Sequence, residues 1–245
     1  MSLPKIELPT FTTNLISDPS VVVTMRPMTI KQEKLLLMAK EERSDKGIVS
    51  TLIDILQACV VTDGKTRSDG AVNVGDYPLC DIEWMFLKLR AQSVGNSADL
   101  SYVISEETFD FKVDLNKVKP KAVERKAMDN MIKIGGDSDS IELKYTPSKV
   151  FADSIFDEDK ESEQLDLVLA SSIAAINIGD TKTDPSTLTS EELTEWINSL
   201  PAGVLKKCQD FLQNTPRLYH AEKVKTKDGK EHVIELQSLN DFFII

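Results

Sequence analysis

Imidazole and thiol are the scarcest chemistry in this chain: two histidines, His220 and His232, and three cysteines, Cys59, Cys80 and Cys208, serve 245 residues. An odd, widely spaced set of thiols within helical patterns makes no disulfide scaffold, and all three read as small buried hydrophobes. Nucleophilic catalysis needs a hydroxyl or thiol beside a base, and no nucleophile elbow or glycine-rich oxyanion turn accompanies either histidine. Glycine is sparse as well, with 10 in all. The segments GDTKT (179–183) and DGKT (63–66) lack the second glycine and the spacing of a phosphate-cradling loop, so they read as turns. Positive charge is in deficit: 29 Lys and Arg face 40 Asp and Glu, a formal net charge of −11. Such a balance argues against a chain built to grip phosphate backbones or anionic membranes. No run approaches the roughly 18 apolar residues of a membrane span, and the start MSLPKIELPTF lacks the basic and apolar regions of a secretion signal. The expectation is a chain made in the cytosol. Carboxylate clusters at 137–139 and 157–163 have no EF-hand spacing and read as solvated faces. The residues thus predict no catalytic, metal or cofactor site.

What is present is enough apolar content, 41%, to build a core. Residues 1–24, broken by Pro4, Pro9 and Pro19, read as an extended arm that could lie on another subunit. Two units are expected after it, 25–150 and 151–245, each helical and then hairpin-forming. Thr29 with Gln32 has capping-box spacing ahead of Leu35, Leu36, Leu37 and Met38. A second helix from Ile48 to Val61 buries Leu52, Ile55, Leu56 and Cys59, and the 63–70 loop leads to a third, with Pro78 in its first turn. Alternation at Leu100, Tyr102, Ile104 and then Phe109, Phe111, Val113, Leu115 predicts a β-hairpin through Ser105 to Thr108, with a further strand at Ile141, Leu143 and Tyr145. In the second half the acidic run at 157–163 opens a helix whose face carries Leu165, Val168, Leu169, Ser172, Ile173 and Ile176. Thr189 with Glu192 repeats the capping box, Pro201 opens another helix, and Asp228-Gly229 predicts a second hairpin. The expected class is α+β, mainly helical with two hairpin elements, and the parallel order in the two halves suggests an internal duplication.

The stretch from Asp81 to Gly95, DIEWMFLKLRAQSVG, is the most particular in the chain. Ile82, Met85, Phe86 and Leu89 share one helical face, whereas Lys88, Arg90, Gln92 and Ser93 add little to a core and run into Gly95, a helix stop. A fixed guanidinium at Arg90 suits bidentate contact with a carboxylate, in this chain or a neighbour's. The apolar ending Phe242, Phe243, Ile244, Ile245 stands where chain ends usually fray and should dock, on this chain or on another subunit. The candidate partner contacts are therefore Lys88, Arg90, Ser93, Phe242 and Phe243. Upstream, Arg26, Pro27, Thr29, Lys31, Glu33, Lys34, Leu36 and Leu37 form a spaced block, and Asp81, Glu83, Phe86, Arg90, Ser93, Val94 and Gly95 form another. Together these blocks resemble the small baseplate hub and hub-assembly proteins of T-even-like contractile-tailed bacteriophages.

That resemblance implies a non-catalytic part in building the tail baseplate, as a structural hub component or as a transient assembly chaperone absent from the finished virion. Implied partners are other baseplate hub or wedge proteins, with self-association an open possibility and neither nucleic acid nor membrane expected. Implied locations are the host cytoplasm during assembly and then the tail baseplate. Many relatives carry cysteine pairs of a zinc ribbon at the hairpin tips. Here the zinc-ribbon-like positions between Ser101 and Phe109 have no cysteine, and the second tip offers only His232 beside Lys225 and Lys227, too few ligands for a tetrahedral site. A degenerate zinc-ribbon adaptor for single-stranded nucleic acid is the alternative; its one basic stretch, 117–133, lacks interleaved aromatics.

Overall fold

The computed structural model describes residues 6–42, 45–64, 72–121, 130–136, 138–152 and 161–243. In chain order these form strands β1 (Phe11–Asn14) and β2 (Val22–Met25), helices α1 (Ile30–Glu42) and α2 (Asp45–Cys59), and β3 (Val60–Thr62). Next come α3 (Leu79–Ser93), β4 (Ser97–Ile104), β5 (Glu107–Asp114), β6 (Lys119–Lys121), β7 (Met131–Lys133) and β8 (Ser140–Leu143). Helices α4 (Ser148–Ala152) and α5 (Glu161–Ser172) precede β9 (Ile173–Ile178) and β10 (Thr181–Thr183), and α6 (Ser190–Asn198) and α7 (Ala202–Gln213) follow. The chain closes with β11 (Arg217–Lys225), β12 (Glu231–Leu236) and α8 (Leu239–Phe242).

The mainly helical expectation is thereby corrected. Eight α-helices and twelve strands, the strands in four antiparallel sheets, make the described residues a balanced α+β fold. Short strands explain the miss: most carry only three or four residues, too few for alternation to register, and some, such as β6 paired with β11, find their partner far away in sequence. Helix α5 shows the physics of one such error. Ile173 and Ile176 fit its helical period, yet the helix ends at Ser172 and both isoleucines enter β9, paired with β8 on one side and β10 on the other. Cross-strand pairing of β-branched residues outweighs local helical spacing there. Strands β7 and β8 share a sheet with β9 and β10 across residue 150, so that sheet draws on both of the halves expected from the sequence. The acidic helix start at 157–160 and residues 122–129 of the basic 117–133 stretch lie outside the described residues.

Two compact units arise, each assembled from separated segments. The first holds 1–74, 80–121 and 216–245; the second holds 75–79 and 122–215. In the first, the β1-β2-β3 sheet takes in the segment expected as an extended arm, with Phe11 opposite Met25 and Asn14 opposite Val22. Hairpin β4–β5 turns on Ser105 and Glu106, both at positive φ (51° and 67°), the two-residue geometry that matches strand twist. Hairpin β11–β12 turns where Gly229 sits at φ 88°, and its strand β11 also pairs with β6. The two hairpin tips meet, the Glu107 carboxylate accepting the Lys227 N–H at 3.1 Å. In the second unit the β10-β9-β8-β7 sheet is covered by α5, α6 and α7, with Ile141, Leu143, Leu169, Ile176, Val204 and Phe211 among its buried residues. The Thr189 capping box forms as spaced, Thr189 N–H to Glu192 Oε2 at 2.8 Å and Glu192 N–H to Thr189 Oγ1 at 3.2 Å.

Candidate functional site

Helix α3 organises the first unit, and each face of it is held by a different part of the chain. Its core face is as spaced: Ile82, Met85, Phe86 and Leu89 are all buried, joined by Leu87. At its N-terminal end the buried Asp81 carboxylate accepts the N–H groups of Ile16 (2.8 Å) and Ser17 (3.0 Å) and bonds the Ser17 hydroxyl. One turn on, the Trp84 indole donates to Thr13 Oγ1 and to the Asn14 carbonyl, both at 3.0 Å. Residues 13–17 are thus fastened to α3 by two side chains of this chain.

The C-terminal segment docks on α3 as well. Phe242 is fully buried, and Phe243 meets Phe86 edge-on with ring centroids 6.3 Å apart. The Arg90 guanidinium lies 6.0 Å from the Phe243 ring centroid. Glu83 Oε1 accepts the Leu239 N–H at 3.2 Å, and the Tyr102 hydroxyl donates to the Asp241 carbonyl at 3.3 Å. Asp241 folds back to accept the Gln237 and Ser238 N–H groups at 2.7 and 2.8 Å, closing the entry to α8.

Burial pushes the Glu83 carboxyl up to about 7 from an ordinary 4.5; the Leu239 N–H opposes this and the Asp241 charge adds to it. The folded chain therefore binds that proton more tightly than the unfolded one, so stability falls as pH rises from about 4.5 to about 7 and is level above. A gap of this size corresponds to roughly 3 kcal/mol. Glu83→Gln keeps an oxygen for Leu239 and removes the charge. Its expected result is a Tm several degrees above wild type at pH 8, converging with wild type near pH 4.5; parallel profiles would show that Glu83 is not the group responsible.

The five residues singled out as partner contacts are placed as follows. Ser93 is committed internally: its hydroxyl donates to the Leu89 carbonyl at 2.6 Å and accepts the Met28 N–H at 2.9 Å. Phe242 is a core residue of this unit, and Phe243 is half-buried against α3. Lys88 and Arg90 are half-buried, the Lys88 ammonium lying 4.1 Å from the Trp84 ring centroid, with burial lowering its pKa. Helix α3 brings all five into one unit, yet Ser93 and Phe242 already have their partners within the chain.

A surface that the spacing did not single out lies on α1. The upstream block ties that helix down: Arg26 donates from Nη2 to the Ala58 carbonyl at 2.7 Å and from its N–H to the Cys59 carbonyl at 2.9 Å, satisfying the end of α2. In the first turn of α1 the Gln32 side chain reaches back to Thr29, its Oε1 accepting the Thr29 N–H at 3.0 Å. Gln32 and Ala39 turn inward and are buried, with Leu36 half-buried beside them. The outward side is apolar too, with Ile30 78% exposed, Leu35 37%, Leu37 54% and Met38 59%. A helix apolar on both sides is ordinarily buried on both sides. The signal was present in the uninterrupted Leu35 to Met38 run, which no single helical face can accommodate.

The remaining chemistry is muted. All three cysteines are buried and unbonded, and burial raises each thiol's pKa, the opposite of an activated nucleophile. Among the described residues no group of three His, Cys, Asp or Glu side chains stands close enough to hold a metal. No described helix is long and apolar enough to cross a membrane. A cavity of the second unit, 530 Å³, sets Lys144 among Glu163, Asp166 and Asp184, with no histidine or cysteine in its lining.

Residues 8–244, nearly the whole chain, match the family described as T4 bacteriophage base plate protein. The chain belongs to that family. No curated protein and no solved structure matches it. This base plate chain carries a helix, α1, whose Ile30, Leu35, Leu37 and Met38 stay exposed among the described residues.

Proposed function

We propose that this base plate protein acts in assembly of the baseplate hub, without catalysis, by presenting protein surfaces to other hub or wedge proteins. The observation that supports this most directly is the exposed apolar side of α1, carried on a chain of base plate family. Exposed apolar patches of this kind mark association sites, and association is the work a base plate component does. The alternative role, a chaperone that leaves before the particle is complete, uses the same surface for a shorter time.

A paired substitution, Leu37→Ser with Met38→Ser, tests the reading. Both side chains are exposed, so Tm should stay within a degree or two of wild type. Incorporation into base plate intermediates should drop at least tenfold. Normal incorporation of the folded variant would defeat the proposal. Quantitative composition of purified virions against assembly intermediates separates the two roles, a structural component persisting in the virion and a chaperone being lost from it.

A further inference from the structure

We infer that the outward face of the paired strands β6 and β11 binds an acidic segment of another base plate protein; the inference rests on the reading above that the chain works by association, and adds a second surface to α1. Alternation sets the face. Arg217, Tyr219, Ala221, Lys223 and Lys225 of β11 share one side while Leu218 is buried on the other, and the register places Lys121 opposite Arg217 and Lys119 opposite Tyr219. Strand β12 adds Glu231, Val233 and Glu235 to the same side, opposite Lys225, Lys223 and Ala221. Lys119, Lys121, Arg217, Lys223 and Lys225 are all exposed, so five cations stand against two carboxylates. The face is positive on a chain whose formal net charge is −11.

Folding alone does not call for this arrangement. Like charges directly opposite each other across a strand pair destabilise it, and Lys121 and Arg217 are so placed. Among the described residues none of the five cations forms an ion pair. Lys121 lies 4.4 Å from the Tyr219 ring centroid, and Arg217 donates to the neutral Gln237 Oε1 at 3.1 Å. Of the two carboxylates, Glu235 is taken up by the Tyr219 hydroxyl at 3.3 Å and the Gln237 amide at 2.6 Å. Carboxylates from a partner supply the counter-charge that the face lacks and relieve the Lys121–Arg217 repulsion. The lysines of each strand stand two residues apart, about 7 Å, a spacing that alternate side chains of an extended acidic segment reproduce. A second copy meeting this face with its own would set one positive surplus against another. Single-stranded nucleic acid needs open rings for its bases to stack on, and the one aromatic residue of the face, Tyr219, is half-buried with Lys121 over its ring.

A photo-crosslinking phenylalanine analogue in place of the exposed Ala221 of the full chain, irradiated during phage assembly, tests the inference. The expected adduct maps to a segment of a different base plate protein in which Asp and Glu outnumber Lys and Arg. Lys121→Glu with Lys223→Glu should reduce that adduct at least tenfold without lowering Tm, since a carboxylate at position 121 faces Arg217 with the opposite charge. Lys121→Gln with Lys223→Gln, which removes charge and adds none, should reduce it at least threefold and keeps the test open if the glutamate variant does not fold. A synthetic peptide of the mapped segment should bind the purified chain more weakly as salt rises. An adduct to nucleic acid, to a second copy of this chain or to a basic or uncharged segment, an adduct indifferent to both pairs of substitutions, or no adduct would each overturn the inference. If the chain is absent from assembly intermediates altogether, the function proposed above fails; if it is present and the adduct is wrong, only this second surface fails.

Discussion

Phe86→Ala is expected to lower the free energy of unfolding by about 3–5 kcal/mol, the usual cost of emptying a fully buried aromatic site. Phe86 is 1% exposed and sits on α3 among Ile82, Met85 and Leu89, each fully buried. The loss has a second part: Phe243 would lose the ring edge it packs against, so the C-terminal segment that α3 holds should loosen. Urea denaturation followed by circular dichroism measures the first effect. Faster amide exchange at Leu239 and Phe243 reports the second, because those N–H groups bond Glu83 Oε1 and the Leu239 carbonyl in the native chain. Phe86→Leu should fall between the two proteins. A midpoint near wild type for the alanine variant would remove Phe86 from the core.

Asp81→Ala should cost a comparable amount by another mechanism. Its carboxylate is the acceptor for the Ile16 and Ser17 N–H groups and the partner of the Ser17 hydroxyl, and no water reaches it. Each buried donor left without an acceptor costs about 1–3 kcal/mol, which puts the sum at several kcal/mol. Asp81→Asn is the informative control. An amide oxygen can still accept both N–H groups, and burial already works against the carboxylate's charge, its pKa being raised chiefly by desolvation. The asparagine variant should thus keep most of the stability that alanine loses. Trp84 reports on the same contact, since its indole bonds Thr13 and Asn14 beside the Asp81 clamp. A red shift of tryptophan emission in native buffer is expected for alanine and not for asparagine; equal behaviour of the two would mean that the charge, and not the acceptor geometry, holds residues 13–17.

The same residues show how much was legible before any coordinates. The core face of α3 follows from spacing alone, because a helix period is local and four side chains within eight residues define it. The capping box at Thr189 is local in the same way, as donor and acceptor lie three residues apart. Docking of the C-terminal Phe242 was legible as an expectation that it docks, but its position against α3 joins residues more than 150 apart, which periodicity cannot report. The polar end of α3 was readable as unusual and not readable in its cause. Ser93 is polar because it joins Met28 to Leu89, and at the opposite end of the helix Asp81 receives Ile16 and Ser17 and Glu83 receives Leu239.

Composition by itself determined that this chain builds a core and carries excess negative charge, and helical spacing determined the inward faces of its long helices. Those properties depend on residue type and on contacts a few positions apart. Tertiary structure alone decided that Ile173 and Ile176 are strand, that residues 11–25 pair into a sheet, and that Ser93 and Phe242 are spent inside the fold while Ile30, Leu37 and Met38 are left in water. The physical reason is the same in each case. Whether an apolar or polar side chain is free to meet a partner depends on which distant backbone has already covered it, and that is settled only when the whole chain has packed.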